Sequence, residues 1–137
     1  VSLRIGAIGV QKVSARLMEN GFQVSLPVYD SGYDLVSDWY GKMKRIQVKS
    51  TCGTNEKQRR RKIKFLAVKG PGYGTGAKLK CHQVKSVYGK SDCDVFIFYH
   101  LGIDALFIIP RVKTPKTKSI YLAPNCKWRD NWDVLKR

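Results

Sequence analysis

Asp34, Gln47 and Lys49 are of types, and at a spacing, that suit phosphodiester hydrolysis. Attack of water on a phosphodiester gains from a divalent cation, which polarises the phosphoryl group and lowers the pKa of the water. Mg²⁺ is a hard ion that takes oxygen ligands. The Asp34 carboxylate, the Gln47 amide oxygen and the Val48 backbone carbonyl all qualify. A lysine beside them can orient the water or stabilise charge on the phosphoryl oxygens. The plain structural alternative is a diagonal surface ion pair between Asp34 and Lys49, worth under about 1 kcal/mol.

A hairpin must bring these residues together. Residues 33–39 and 42–49 are strand-like and meet at Tyr40–Gly41, a hairpin signal. A turn centred between those two residues sets Asp34 opposite Gln47. Opposed residues point to one sheet face, with Cβ atoms about 4.5–5.5 Å apart. Lys49 lies two residues beyond Gln47 and shares that face. A loop of odd length would break the pairing. Leu35, Ile46 and Val48 fall on the opposite face, as core residues.

The remaining elements follow from periodicity. Ile5, Val10, Val13 and Leu17, with Ile8, Ala15 and Met18 beside them, predict a helix over 3–20. Gly21 supplies its stop. Phe22, Val24, Leu26 and Val28 alternate as a strand, with Pro27 marking an edge or bulge. Residues 62–69 form a third strand-like run, 70–76 a glycine- and proline-rich loop, and 78–88 a weakly helical stretch. Two apolar strands follow at 95–99 and 105–109, joined through Gly102 and ended by Pro110. A short strand at 120–122 precedes a closing helix at 127–136, with Trp128, Trp132 and Leu135 on one side. The pattern predicts one mixed α/β domain over residues 1–137, built on a central sheet and without internal repeats.

Tyr33-Asp34, twelve intervening residues, then Gln47-Val48-Lys49 resembles the signature of the PD-(D/E)XK nucleases. The flanks match as well: the leading helix with Gly6, Gly9, Leu17 and Gly21, and the phrase from Arg45 through Ser50 to Thr51. The strand beginning near Asp94 and the later Phe107-Ile108-Ile109-Pro110 resemble the last strands of these small nucleases. Within the class, the chain resembles the cyanobacterial group I intron homing endonucleases, where glutamine replaces the usual acid. Archaeal Holliday-junction resolvases are similar over the same span.

The resemblance implies a restriction-endonuclease-like core with flanking helices and a basic β-hairpin arm. It implies Mg²⁺-dependent, site-specific double-strand cleavage of DNA by a homo-oligomer, a dimer or tetramer. Asp34, Gln47 and Lys49 would be catalytic, and Asp34, Gln47 and Val48 would hold the metal. Tyr33 departs from the usual proline. Val10 is the larger departure, because related nucleases carry glutamate there, on the first helix and facing the metal. With valine, Asp34 is the one carboxylate among the expected positions, which allows an inactive form, natural or engineered. Glu19, Asp30 and Asp38 are the alternative carboxylates, and Asp38 lies on the matching hairpin face. Ordinary core packing is the other reading of Val10.

Charge points to the partner. Twenty-six Lys and Arg against ten Asp and Glu give +16, a balance suited to a polyanion such as nucleic acid. No basic amphipathic helix with a long apolar face is evident, which argues against a membrane surface. Between Lys42 and Lys64, ten basic residues face the single acid Glu56, a net +9. Arg59, Arg60, Arg61, Lys62 and Lys64 suit a β-ribbon arm in a DNA groove, with arginines on guanine edges and lysines on phosphates. Arg111, Lys113, Lys116 and Lys118 form a second cationic loop suited to backbone contact. A solvated charge run is the bland alternative.

Other classes have less support. The glycine loop around Tyr73 lacks the Lys-Ser/Thr of a phosphate-binding P-loop. Cys52, Cys81, Cys93 and Cys126 form no C-x-x-C pair, and His82 and His100 complete no zinc spacing. Buried or half-buried reduced thiols are the expectation. No apolar run approaches the ~20 residues of a membrane span, and the start lacks secretory-signal features. The expected setting is therefore a bacterial or phage-host cytoplasm. The functional readings are a homing-type endonuclease, a non-catalytic nucleic-acid-binding protein, and a junction-resolvase-like nuclease.

Overall fold

The computed structural model describes residues 2–29, 31–53, 62–67, 88–117 and 119–137. The periodic first segment forms α1 (Ser2–Glu19). Gly21 follows at φ 87°, the left-handed conformation that commonly ends helices. The next strand, β1 (Gln23–Ser25), is shorter than its alternation predicts. Leu26 and Val28, which would extend it, are exposed around Pro27.

β2 (Leu35–Trp39) and β3 (Lys42–Thr51) form the expected hairpin. Tyr40 and Gly41 both have positive φ, 49° and 88°, as a two-residue type I′ turn requires. Leu35 pairs with Ile46 and Trp39 with Lys42, so the turn is centred where the sequence places it. β5 (Val95–His100) then lies parallel to β3, and β6 (Ala105–Pro110) antiparallel to β5. The five-stranded sheet has the order β1-β2-β3-β5-β6. All six residues of β5 are buried, as expected of a strand covered on both faces.

Each face has its own cover. α1 and α2 (Asp133–Lys136) pack on one side, where Val13, Leu17, Ile46, Val48, Ile97 and Leu135 share a cluster. On the other side β4 (Ile63–Leu66) and β7 (Ser119–Leu122) pair as a separate two-stranded sheet. Ile63, Phe65, Ile120 and Leu122 pack there against Phe96, Phe98 and Phe107. The strand after the basic run therefore finds its partner in β7. Arg59, Arg60 and Arg61 and the weakly helical stretch before Tyr88 lie outside the described residues.

The closing helix is the main correction. Only Asp133–Lys136 is helical. Its expected first half instead runs along the edge of β6, where Arg129 bridges Phe107 and Ile108 N–H donates to the Trp128 carbonyl. Asp130 sits at φ 48° and breaks the helical path. Trp128 and Trp132 still pack against the cores, so the apolar periodicity reported burial correctly but not conformation.

α1 crosses β3 closely. A Cβ on Gly9 would lie 1.7 Å from Ser50 Oγ and 2.8 Å from Ser50 Cβ, so only glycine permits this approach. Gly9→Ala is expected to force the helix outward and cost about 1–3 kcal/mol, as overpacking does. Removing the obstructing side chain in the double variant Gly9→Ala/Ser50→Gly should restore most of that loss. Urea unfolding midpoints of the two variants check it.

Candidate active site

The β2–β3 register brings Asp34 beside the second strand just ahead of Leu35. Its backbone N–H donates to the Ile46 carbonyl at 2.8 Å. Asp34 Oδ2 accepts the Val48 backbone N–H at 2.8 Å and Gln47 Nε2 at 2.8 Å. Gln47 Nε2 also lies 3.3 Å from the Val48 carbonyl. Gln47 is buried, so its amide gains from these partners; an unmatched buried amide would carry a substantial desolvation cost.

Lys49 stands on the same sheet face. In the parallel ladder Gln47 pairs with Phe96 and Lys49 with Phe98, which places both on the aromatic side of the sheet. The Lys49 ammonium lies 4.9 Å from the centre of the Tyr88 ring. Tyr88 in turn meets Phe96 edge-on, with centroids 5.1 Å apart. A cation over an aromatic face is attracted by its quadrupole, so Tyr88 holds the lysine head on this face. Sequence reasoning missed Tyr88, because the pattern before it predicts only a weak helix and no motif surrounds it.

A second polar contact fixes β3 against β5. The Arg45 guanidinium grips Asp94 from Nε and Nη2, at 3.1 and 2.9 Å, and the Arg45 N–H donates to the same carboxylate at 2.9 Å. These hydrogen bonds hold the Asp94 carboxyl below its usual pKa. Arg45 also donates to the Ser91 and Lys90 carbonyls. Nearby, burial pushes the Cys93 thiol up to about 12, which keeps it protonated and inert as a nucleophile. Cys126 is half-buried, as expected, but Cys52 is exposed, unlike the buried or half-buried thiols expected.

The structure gives the other named residues different surroundings. Val10 is half-buried against the helix-side core, next to the Gly9–Ser50 crossing. Asp38 lies at the far end of β2 and accepts the Gly41 N–H at 2.7 Å, so it braces the turn. Glu19 is exposed at the end of α1, and Asp30 lies outside the described residues. Lys62, Lys64, Lys113 and Lys116 are exposed, whereas Lys118 is also outside the described residues.

A profile of the PD-(D/E)XK endonuclease family matches residues 2–133. The chain belongs to this family. Among solved structures, that of a bacterial homing endonuclease, I-Ssp6803I, is similar with a TM-score of 0.74. It is 23% identical, and the match covers 98% of this chain and 92% of that one. The restriction-endonuclease-like fold expected from the sequence is therefore the fold observed. A search of curated proteins by sequence finds no match. Among the described residues, no helix is long and apolar enough to cross a membrane.

PD-(D/E)XK nucleases typically use divalent metal ions, and the donors here fit one. Asp34 Oδ2 and the Val48 carbonyl both lie within reach of a single donor, Gln47 Nε2. Gln47 Nε2 stands where these two oxygens converge, so a small cation there would displace the amide nitrogen, and the Gln47 amide oxygen would join as a third ligand once the side-chain amide turns over. The set is all oxygen, as Mg²⁺ prefers, but holds one carboxylate. Among the described residues, no group of three or more His, Cys, Asp or Glu forms.

Asp34 thus has a structural load that is separable from chemistry. Asp34→Ala removes the acceptor of the Val48 N–H and of Gln47, and is expected to cost about 1–3 kcal/mol. Asp34→Asn keeps an acceptor oxygen at that place and should cost clearly less. Comparing denaturant midpoints of the two variants measures the difference.

Proposed function

We propose that residues 1–137 act as one nuclease domain, a Mg²⁺-dependent, site-specific DNA endonuclease of the intron-homing type. The observation that carries this reading is the convergence of the Asp34 carboxylate and the Val48 carbonyl beside Gln47, with Lys49 on the same face. Asp34, Gln47 and the Val48 carbonyl would hold the cation, which supplies phosphoryl polarisation and a more acidic water. Lys49, steadied over Tyr88, orients the water or meets charge on the phosphoryl oxygens. Duplex DNA is the substrate that best suits a +16 chain. The likeness in fold to a bacterial homing endonuclease supports the same reading.

In this reading Arg59, Arg60, Arg61, Lys62 and Lys64 contact DNA from the arm, and Lys113, Lys116 and Lys118 contact its backbone. A double-strand break needs two such centres acting together, so the working form is a homo-oligomer with closed symmetry. A bacterial or phage-host cytoplasm is the corresponding setting. Lys49→Ala and Asp34→Asn are each expected to abolish Mg²⁺-dependent plasmid cleavage while leaving duplex affinity nearly intact. Unchanged cutting by either variant would remove the assignment.

Position 10 is where the family's helix carboxylate would stand. Hard-cation affinity rises with the number of anionic oxygen ligands, and Val10 supplies none. Val10→Glu is expected to lower the Mg²⁺ concentration needed for half-maximal cleavage without changing the target. Its half-buried site leaves the new carboxylate a route to solvent. A sharp fall in melting temperature with no gain in cutting would mark position 10 as purely core.

A further inference from the structure

Beside the Asp34–Gln47–Lys49 cluster lies an open pocket of about 50 Å³, whose lining includes Tyr88, Phe96, Arg111, Thr114 and Lys116. A water needs about 10–15 Å³ by this kind of measure, so the space takes a group of a few heavy atoms. That is the size of a phosphate. Its lining brings two cations and, among the described residues, no carboxylate.

Arg111 is oriented before any ligand arrives. Its backbone N–H donates to the Asp94 carbonyl at 2.9 Å, and its Nε donates to the Cys93 carbonyl at 3.1 Å. The Nε bond uses one of five guanidinium donors. It fixes the plane of the fork, which suits an anion with several oxygens.

Tyr88 and Phe96 join the pocket to the cluster. The Tyr88 ring carries the Lys49 ammonium on its face, and Tyr88 also lines the pocket. Phe96, in the pocket lining, is the ladder partner of Gln47 on one side and of Ile109 on the other. Arg111 comes two residues after Ile109. Strand spacing and rise then put Gln47 and Arg111 about 12 Å apart along the sheet, within reach of one nucleic-acid backbone.

We propose that this pocket is a subsite for a backbone phosphate flanking the one that is cleaved, held by Arg111 and Lys116 with Tyr88 as the wall it shares with Lys49. The proposal rests on the reading of Asp34, Gln47 and Lys49 as the cleavage centre. It separates Lys116, which lines the pocket, from its loop neighbour Lys113, which does not.

The test is the salt dependence of binding to a short random-sequence duplex, using the full chain in EDTA so that nothing is cut. Each lost phosphate contact shallows the slope of log K against log salt by about 0.9. Lys116→Gln is expected to lose that amount. Val112, exposed at the pocket's lining, provides the second variant: Val112→Trp keeps every charge but obstructs the pocket. It should lose the same amount, and Val112→Trp/Lys116→Gln should lose no more than either single variant. An unchanged slope in Val112→Trp, or losses that add in the double variant, would overturn the subsite. Plasmid cleavage in Mg²⁺ by the unaltered chain separates the two readings: intact cleavage with unaltered slopes removes the pocket alone. Failure of the unaltered chain to bind duplex at all removes both.

Discussion

The register of the β2–β3 hairpin sets which side chains meet at the site, because strand alternation makes a one-residue slip exchange the two faces. Leu35 against Ile46 buries both in the helix-side core, and that pairing alone brings Asp34 to Gln47 and Val48. A slipped register would bury polar side chains against α1 and expose the apolar set. The turn adds its own constraint, since two successive residues with positive φ fit a two-residue loop and its right-handed strand twist. Hydrophobic burial and turn geometry therefore select one register, and the polar cluster is its consequence.

A chain of this charge must also keep its cations from opposing compaction. Several basic residues near the sheet have specific partners. Arg45 grips Asp94, Arg16 pairs with Asp104 at 3.4 Å, and Lys49 lies over Tyr88. Asp104 also accepts from the Tyr99 hydroxyl, whose pKa rises to about 12 through burial and that bond. These contacts tie the start of β5 to β3 and the β5–β6 turn to α1. β5 is thereby held at both ends, and the candidate cluster sits on the aromatic side of the sheet. Exposed ion pairs contribute little individually; their effect here is on placement.

Much of this was legible from local sequence. Tyr40–Gly41 marks the turn, and the Leu35/Ile46/Val48 set marks the buried face, so Asp34, Gln47 and Lys49 are placed together without structural help. The residues that escaped are those whose positions depend on distant partners. β4 finds β7 more than fifty residues on, and nothing in residues 62–69 names that partner. The 127–136 segment carries helical periodicity, but the open edge of β6 offers Ile108 N–H to the Trp128 carbonyl. An edge that would otherwise be unpaired outweighs a weak local preference. Tyr88 escaped for the same reason, because its role comes from meeting Lys49 and Phe96 across the fold.

The chemistry of the cluster connects its two proposed ligands. One carboxylate gives a cation little to hold in the free protein, while in the proposed function a polyanion drawn to a +16 chain would bring phosphate oxygens to the same face. Metal and nucleic acid would then each raise the affinity of the other by one shared factor, since coupling between bound ligands is reciprocal. The Gln47 amide suits such a site. In the free chain its N–H₂ group satisfies Asp34 and the Val48 carbonyl, so the oxygens are preorganised without an ion and without a second buried carboxylate. A glutamate there would face Asp34 as a like charge, and close like charges disfavour joint ionisation. An amide in place of the acid relieves that repulsion in the free state and, in the proposed function, would move the demand for negative charge onto a bound phosphate.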